Sequence, residues 1–260
     1  MSAAATAPRF ANVVREGRTL PIEYQWVGEG ARSIVFLHEA LGSLGLWRDF
    51  PRQLCEAAGA RGLVYSRPGF GRSGPRDRWD PRFLHDHAYE VLPAFLEAVG
   101  LAGTRPWLFG HSDGASIALL HAARFPEADA GIVVVAPHIF VEEVTLEGIR
   151  AARVRWETSD WRSRLARHHD DVDAVFGGWN DLWLRPEFRG FNIEREIEAI
   201  RCPVLAAQGV DDEYGTLEQV RGIARLVSGT RIVELPGGHW PHRDHPRSLI
   251  DATVEFMAAR

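Results

Sequence analysis

Lysine is absent from the sequence, so all 30 basic side chains among its 260 residues are arginines. Lysine Schiff-base chemistry and a phosphate-binding loop built around a lysine are therefore excluded. Acidic residues outnumber the arginines by 35 to 30, which gives a net charge of −5 and no electrostatic case for a nucleic-acid partner. We expect a small molecule as the partner, and the composition leaves open whether the chain is a monomer or a homodimer.

Cysteine is scarce as well, and long apolar runs are missing. Cys55 and Cys202 are the only two cysteines, which gives neither a disulfide framework nor a zinc-binding spacing and favours a reducing cytoplasm. Residues 1–9 lack the basic start and apolar core of a secretory signal. No apolar run approaches the roughly 20 residues of a transmembrane helix. We therefore expect a cytoplasmic protein without a membrane partner.

Short apolar runs alternate with segments of helical periodicity along most of the chain. Polar–apolar alternation in 12–15 and 21–27 predicts an opening hairpin around Glu16, Gly17 and Arg18. Buried strands are predicted at 33–37, 62–65, 106–109, 132–135, 204–207 and 231–235, and helices at 48–58, 82–99, 112–125, 217–227 and 247–259. This alternation predicts an α/β fold with a mostly parallel, doubly wound sheet and an antiparallel N-terminal hairpin.

The alternation stops between residues 138 and 196, where helical segments follow one another without a clear strand. The candidate helices there are 142–157, 161–168 and 172–184. We interpret this stretch as a helical cap, or lid, over one end of the sheet. The predicted division is a core of residues 1–137 and 197–260 and a cap of residues 138–196.

The most informative motif is Gly110-His111-Ser112-Asp113-Gly114, which joins the apolar run 107–109 to the apolar helical segment 115–123. Between a strand and a helix, Gly-x-Ser-x-Gly forms a sharp turn that lifts the serine hydroxyl above the sheet edge. The glycines remove Cβ atoms that would collide, and the helix start supplies free N–H groups for an oxyanion. The alternative is a serine that only caps the helix. We interpret Ser112 as the catalytic nucleophile.

A serine nucleophile needs a base, and the base needs an acid that fixes its tautomer. The acid candidates follow the strand at 204–207, where Asp211 and Asp212 lie in a loop. The pattern of residues favours neither of them. The alternative is that the loop is only a turn and a helix cap.

The base candidate is His239, which follows the last strand behind two glycines that allow a tight path. His242 and His245 continue a His-x-x-His-x-x-His spacing that could suggest a metal. Pro241 and Pro246 break the helix that would align these rings, and no nearby cysteine completes a ligand set. We therefore expect no metal site and no cofactor.

An oxyanion hole needs two converging N–H groups. Asp113, directly after the nucleophile, offers one, and the loop of residues 38–43 should offer the other through Ala40. The remaining histidines have simpler interpretations: His111 should point away from the nucleophile at the turn, and surface or helix positions are expected for His85, His87, His168 and His169.

These residues make the chain resemble the α/β-hydrolase superfamily, in its cap-bearing bacterial branch of serine esterases and meta-cleavage-product hydrolases. Residues 66–73 resemble the family's Arg-Gly-x-Gly-x-Ser loop, and Gly238-His239 matches its Gly-His. In the family's Gly-x-x-Asp motif the acid lies three residues after the glycine, so Gly209 selects Asp212. The chain order Ser112, Asp212, His239 is also that of the family. The resemblance implies a Ser-His-Asp triad that hydrolyses its substrate through an acyl-enzyme.

One position departs from the family pattern. Many relatives have His-Gly after the third strand, whereas this chain has His38-Glu39. The simpler expectation is that Glu39 turns away and pairs with an arginine such as Arg67. The alternative is that Glu39 faces the pocket and restricts the substrates.

The predicted cap is rich in aromatic residues, and Trp240 lies beside the base. We place Trp179, Trp183, Trp240 and Glu39 in a possible substrate pocket, although aromatic residues at helical spacing also pack a cap onto a core. A small hydrophobic or aromatic carboxylic ester, or a lactone, is the first substrate class that the resemblance suggests. The alternatives are carbon–carbon bond hydrolysis of aromatic meta-cleavage products, thioester hydrolysis and a non-catalytic ligand receptor.

Overall fold

The computed structural model describes residues 8–15, 17–76 and 78–260 and has one eight-stranded sheet at its centre. The strands are β1 (Arg9–Arg15), β2 (Arg18–Gly28), β3 (Arg32–Leu37), β4 (Ala60–Tyr65), β5 (Trp107–His111), β6 (Gly131–Val135), β7 (Val204–Gly209) and β8 (Arg231–Leu235). Their order across the sheet is β1-β2-β4-β3-β5-β6-β7-β8. Strands β3 to β8 run parallel, and β2 pairs antiparallel with β1 and β4. The predicted sheet is confirmed, while Glu16 of the predicted hairpin turn lies outside the described residues.

Helices cover the sheet and fill its connections. They are α1 (Phe50–Ala58), α2 (Phe83–Asp86), α3 (Leu92–Ala98), α4 (Asp113–Arg124), α5 (Glu143–Thr158), α6 (Trp161–Leu165), α7 (Val172–Leu184), α8 (Glu194–Ile197), α9 (Glu218–Leu226), α10 (Pro241–Asp244) and α11 (Pro246–Ala258). Short 3₁₀ turns span Leu44–Trp47 and Pro186–Gly190. Helices α1 and α11 cover one face of the sheet, and α3 and α4 cover the other.

Both faces of the central parallel strands β3, β5, β6 and β7 are buried, which explains why these strands are apolar at nearly every position. In β3, the side chains of Val35 and Leu37 pack into the apolar cluster on one face, whereas Ile34 and Phe36 pack into the cluster on the opposite face. Successive side chains of a strand point to opposite faces, so a strand covered on both sides has no solvent-facing positions. The carboxyl ends of β3, β5, β6 and β7 consequently meet at one edge of the sheet.

The single helix predicted over residues 82–99 is divided into α2, a π-helical turn at His87–Val91, and α3. Pro93 lies near the start of α3 and has no N–H to donate, so an uninterrupted α-helix cannot pass through it without losing a hydrogen bond. The wide turn absorbs this break. It also holds the buried His87 ring 2.8 Å from the Tyr65 hydroxyl.

Residues 138–196 contain helices α5 to α7 and most of α8, and they begin and end at one place. Phe140 and Asn192 form an antiparallel bridge, and the N–H of Ile193 donates to the carbonyl of Ile139 at 2.8 Å. Inside the segment, aromatic rings pack on one another, with centroids 4.0 Å apart in the stacked pair Trp156–Phe176 and 5.2 Å apart in Phe188–Phe191. The assignment of this segment as a lid remains a prediction.

Candidate active site

Ser112 lies in a sharp turn between β5 and α4, with φ of 53° and ψ of −118°. A non-glycine residue with this positive φ is strained, and such strain persists where the surrounding structure enforces it. The two flanking glycines are needed for packing. A Cβ on Gly110 would lie 2.3 Å from the carbonyl oxygen of Gly114, and one on Gly114 would lie 2.0 Å from that of Leu37. The motif therefore folds as a strand, tight turn and helix.

The loop after β7 brings Asp212 to His239, which follows β8. The Nδ1 atom of His239 lies 2.9 Å from both carboxylate oxygens of Asp212. Because a carboxylate only accepts, Nδ1 carries the proton and Nε2 is left as an acceptor. The N–H of Tyr214 also donates to Asp212 Oδ1 at 2.8 Å. Asp211 is exposed and has no hydrogen bond to His239, so the geometry selects the neighbouring carboxylate.

The electrostatics of this pair favour its charged form. Burial alone raises the pKa of Asp212, but the charge and hydrogen bond of His239 and the N–H of Tyr214 outweigh it, so the pKa is lowered. Burial alone lowers the pKa of His239, but attraction to Asp212 outweighs it and the pKa is raised above 6.5. An imidazolium that forms here is therefore stabilised by its acid partner.

The Ser112 side chain lies in the same cavity as His239. Over the described residues, its hydroxyl makes no hydrogen bond to any side chain or backbone group, including the imidazole. Catalytic hydrogen bonds of this kind often tighten only when substrate is bound. The cavity has a volume of about 390 Å³, which is in the range of small-molecule sites.

Two backbone N–H groups are available beside the nucleophile. Ala40 and Asp113, the two predicted oxyanion residues, both line the cavity. Within the described chain, neither N–H donates to another protein group. The loop that carries Ala40 is held in place by the Glu39 carboxylate, which accepts from the N–H of Leu41 at 2.6 Å.

The predicted ion pair between Glu39 and Arg67 is wrong. The buried Arg67 guanidinium donates instead to Asp113 Oδ2 at 3.4 Å and to the backbone carbonyl of Glu39 at 2.9 Å. Burial raises the pKa of the Asp113 carboxyl to about 6 despite the neighbouring cation. The Glu39 carboxylate accepts a hydrogen bond from within its own loop. Glu39 also lines the cavity, which is the position that the alternative interpretation expected.

His38 links this loop to the Arg67 segment. Its Nδ1–H donates to the carbonyl of Glu39 at 2.7 Å, which leaves Nε2 to accept the N–H of Arg67 at 2.9 Å. Burial and the charge of Arg67 hold the pKa of His38 well below its usual range. The ring is therefore a neutral connector between the two loops.

His169 differs from its predicted surface or helix position, and His138 is a cavity residue that the sequence analysis did not identify. His169 is a buried loop residue, neither on the surface nor in a helix, because its ring bridges the N–H of Gly71 and the carbonyl of Leu41. His138, just after β6, lines the cavity with its ring centroid 5.9 Å from that of His239. Burial lowers the pKa of His138 to about 3, so it is neutral. Its position after a buried parallel strand was the available sequence signal.

The walls of the cavity include every residue predicted for the pocket: Glu39, Trp179, Trp183 and Trp240. Other aromatic residues of segment 138–196 serve packing. The Trp156 ring stacks on Phe176, and Phe188 packs against Trp183 with centroids 4.6 Å apart. The aromatic residues therefore divide into a cavity wall and an internal core.

None of the described helices is both long and apolar enough to cross a bilayer. Among the residues that the structure describes, no three histidine, cysteine or acidic side chains are grouped so that they could hold a metal ion. His242 packs instead against Trp47, with ring centroids 5.1 Å apart.

Known proteins are similar to this chain in sequence and in fold. Residues 34–252 match the model of the alpha/beta hydrolase family. A 2-hydroxy-6-oxononadienedioate/2-hydroxy-6-oxononatrienedioate hydrolase 2 from Pseudomonas putida is 32% identical over 287 residues, covering 97% of this chain and 97% of the relative. The serine hydrolase BPHL from Mus musculus is 26% identical over 249 residues, covering 90% and 80% of the two chains.

A solved structure shows the same fold at low sequence identity. The enol-lactonase from Burkholderia xenovorans LB400 superposes with a TM-score of 0.75 at 21% sequence identity. The superposition covers 96% of this chain and 100% of the enol-lactonase. The match to the family model over most of the chain agrees with the order of the strands in the sheet and with the strained turn at Ser112. The chain belongs to the alpha/beta hydrolase family and is an enzyme of the hydrolase type.

Proposed function

We propose that this enzyme is a serine hydrolase that cleaves a small hydrophobic or aromatic carboxylic ester, or a lactone, through an acyl-enzyme. The observation that carries the proposal is the Asp212–His239 pair, which leaves His239 Nε2 as a proton acceptor in the cavity that holds the strained Ser112. Nucleophile, base and orienting acid are the parts that acyl transfer requires.

The chemistry follows from these positions. Ser112 Oγ attacks the ester carbonyl while its proton passes to His239 Nε2, which then protonates the leaving alkoxide. The alcohol departs and the acyl group stays on the serine. A water then attacks the acyl carbonyl, gives its proton to the same nitrogen and releases the carboxylic acid as the serine is reprotonated.

The carbonyl oxygen becomes negatively charged in both steps. The N–H groups of Ala40 and Asp113 supply two unused donors for that charge. The contact from Arg67 to the Asp113 carboxylate fixes the first residue of α4, which helps to orient its N–H. Arg67 is in this account a positioning residue.

The aromatic wall supports the substrate class. Trp179, Trp183 and Trp240 present apolar surface around the nucleophile, and Ile149 adds an aliphatic contact. Apolar walls with a few converging polar groups are typical of pockets for small organic molecules.

A fluorophosphonate probe tests the nucleophile. We expect covalent labelling of the wild-type protein on Ser112, found by mass spectrometry of the tryptic peptides, and hydrolysis of para-nitrophenyl butyrate. Ser112→Ala should lose both, whereas Ser163→Ala, which removes an exposed hydroxyl, should lose neither. Labelling at another serine, or unchanged turnover in Ser112→Ala, would contradict the proposal.

Carbon–carbon bond hydrolysis is the second candidate, because the Pseudomonas putida relative is named for hydrolysis of an oxo-dienedioate and is 32% identical. The same serine and histidine would act on a ketone instead of an ester. A dienol ketone substrate distinguishes the two, since cleavage removes its visible absorbance. Faster turnover of the dienol ketone than of any ester would replace the first candidate with the second.

A further inference from the structure

Basic side chains form one wall of the cavity that holds Ser112. Arg48 follows the 3₁₀ turn before α1, Arg167 lies after α6, and Arg243 lies in α10. All three line the cavity together with His168 and a fourth arginine, Arg164 of α6. They come from three separate segments of the chain, so their convergence cannot be explained by one solvated helix face. We refer to Arg48, Arg167 and Arg243 as the arginine wall.

The arginine wall lacks carboxylate partners. Within the described chain, none of its three guanidinium groups forms an ion pair. Arginines elsewhere in helices α5 and α6 behave differently: Arg150 contacts Glu143 at 3.0 Å, and Arg162 pairs with Asp173. Arg164, which also lines the cavity, contacts Asp160 at 3.6 Å. The three residues of the arginine wall are exposed and have no such carboxylate, so their guanidinium groups are available to a ligand.

The cavity itself supplies little compensating charge. The carboxylates that line it are Glu39 and Asp113. Asp113 is occupied by Arg67, and Glu39 accepts from the N–H of Leu41. Cationic charge therefore remains in excess along this wall.

The members of the wall lie within electrostatic reach of one another. Burial lowers the pKa of His168, and the charges of Arg167, Arg48 and Arg243 lower it further. Burial likewise lowers the pKa of Arg243, which Glu39 partly offsets and Arg48 reinforces. Like charges held together without a partner in a cavity are typical of a site that binds an anion.

The backbone at Arg48 carries strain. Its φ of 52° and ψ of −134° resemble those of Ser112, and glycine is the residue that tolerates this region without cost. Strain of this kind tends to be retained at functional positions. The two strained residues of this type that line the cavity are the proposed nucleophile and a member of the arginine wall.

We propose that Arg48, Arg167 and Arg243 form an anion subsite that binds a carboxylate or phosphate group of the substrate while the ester carbonyl lies at Ser112. This inference rests on the proposed function and narrows its substrate class to esters that carry an anionic group at the end remote from the scissile bond. A guanidinium fork suits both oxyanions, because it donates two parallel hydrogen bonds.

Paired substrates test the subsite. Mono-para-nitrophenyl glutarate carries a remote carboxylate, and para-nitrophenyl butyrate is its neutral counterpart. We expect the wild type to favour the glutarate ester in kcat/KM. Each of Arg48→Gln, Arg167→Gln and Arg243→Gln should lower kcat/KM for that ester by about tenfold, mainly through KM, and change the neutral ester by less than about twofold.

Matched variants control for a general loss of charge. Arg189→Gln removes an exposed arginine outside the cavity and should leave the ratio of the two kcat/KM values unchanged. Glu39→Gln removes the opposing carboxylate and should raise that ratio. Added salt should reduce the preference for the glutarate ester in the wild type more than in a triple arginine variant.

Competitive inhibition distinguishes a subsite for carboxylates from a subsite for phosphate groups. Glutarate and inorganic phosphate are each tested as competitors of para-nitrophenyl butyrate hydrolysis. Stronger competition by glutarate assigns the subsite to carboxylates, and stronger competition by phosphate assigns it to phosphorylated substrates. Competition by either should weaken by about tenfold or more in the triple variant.

Failure of the subsite is distinguishable from failure of the proposed function. Equal kcat/KM ratios in the wild type and the triple variant would overturn the subsite while leaving ester hydrolysis intact. If no ester is hydrolysed, calorimetric titration of glutarate and phosphate into Ser112→Ala still decides the question. Equal or absent binding with and without the three arginines would overturn the inference.

Discussion

Strand ends of the core and helices of residues 138–196 both contribute to the cavity, but they hold their side chains differently. Asp212 and His239 are buried and fixed by hydrogen bonds of 2.9 Å, with Tyr214 as a further donor. Trp179 and Trp161, on the helical side, are held by ring packing around Phe176. The groups proposed to move protons are therefore held by directional contacts, whereas the groups that shape the cavity are held by contacts that tolerate repacking.

The prediction with the largest expected effect concerns the hydrogen-bonded pair of Asp212 and His239. Asp212→Asn keeps the size of the side chain but removes the charge that orients and stabilises the imidazolium. We expect kcat to fall about 10⁴-fold with a small change in KM. Asp211→Asn, the exposed neighbour, is the control and should stay within about twofold of the wild type. Comparable losses of kcat in the two variants would mean that the acid partner of His239 has been assigned wrongly.

Breaking the buried ion pair of Arg67 and Asp113 should have the next largest effect. Arg67→Gln leaves the Asp113 carboxylate buried without a cation, so the free energy of unfolding should fall by about 3 kcal/mol. Adding Asp113→Asn removes the uncompensated charge and should restore part of the loss. Denaturant titration of both variants measures the difference. A double variant as unstable as the single one would show that the two groups are not coupled.

The pH dependence of activity should be set by the core rather than by the arginine wall. His239 must be neutral to accept a proton, and its pKa lies above 6.5 because of Asp212. The kcat/KM for a neutral ester should therefore fall as the pH drops through a value above 6.5. In Asp212→Asn the acidic limb should move to lower pH, and Arg243→Gln should move it far less. An unshifted limb in Asp212→Asn would assign the titration to another group.

The smallest effect concerns backbone strain at the arginine wall. Arg48→Gly and Arg48→Ala both remove the guanidinium, but only glycine adopts a φ of 52° without strain. We expect Arg48→Gly to exceed Arg48→Ala in free energy of unfolding by about 1 kcal/mol. Both variants should lose the preference for the glutarate ester equally. A more stable alanine variant would show that the backbone relaxes at this position.

The sequence predicted those features that local motifs encode. The strand, turn and helix around Ser112 lie within one short stretch, and Gly238 with His239 within another. Each stretch determines its own geometry, so the sheet edge, the sharp turn at Ser112 and the position of His239 followed directly. Asp212 could be selected over Asp211 only through the spacing of a family motif, because adjacent acids in a loop look alike.

Features that depend on contacts between distant segments were missed. Arg67 pairs with Asp113, which is 46 residues away, and not with Glu39, the partner expected from the sequence. His169 is buried because it bridges to Gly71, 98 residues before it. The arginine wall has no sequence pattern at all, since its members come from three separate segments and resemble ordinary surface arginines.

The bridge between Phe140 and Asn192 has a consequence for how such an enzyme can diversify. The chain leaves and rejoins the sheet at one point, so the intervening stretch behaves as a closed loop whose length carries only a small entropic penalty. Its helices can be lengthened, shortened or exchanged as a cassette while the strands keep their register. New selectivity can thus arise without rebuilding the reactive centre.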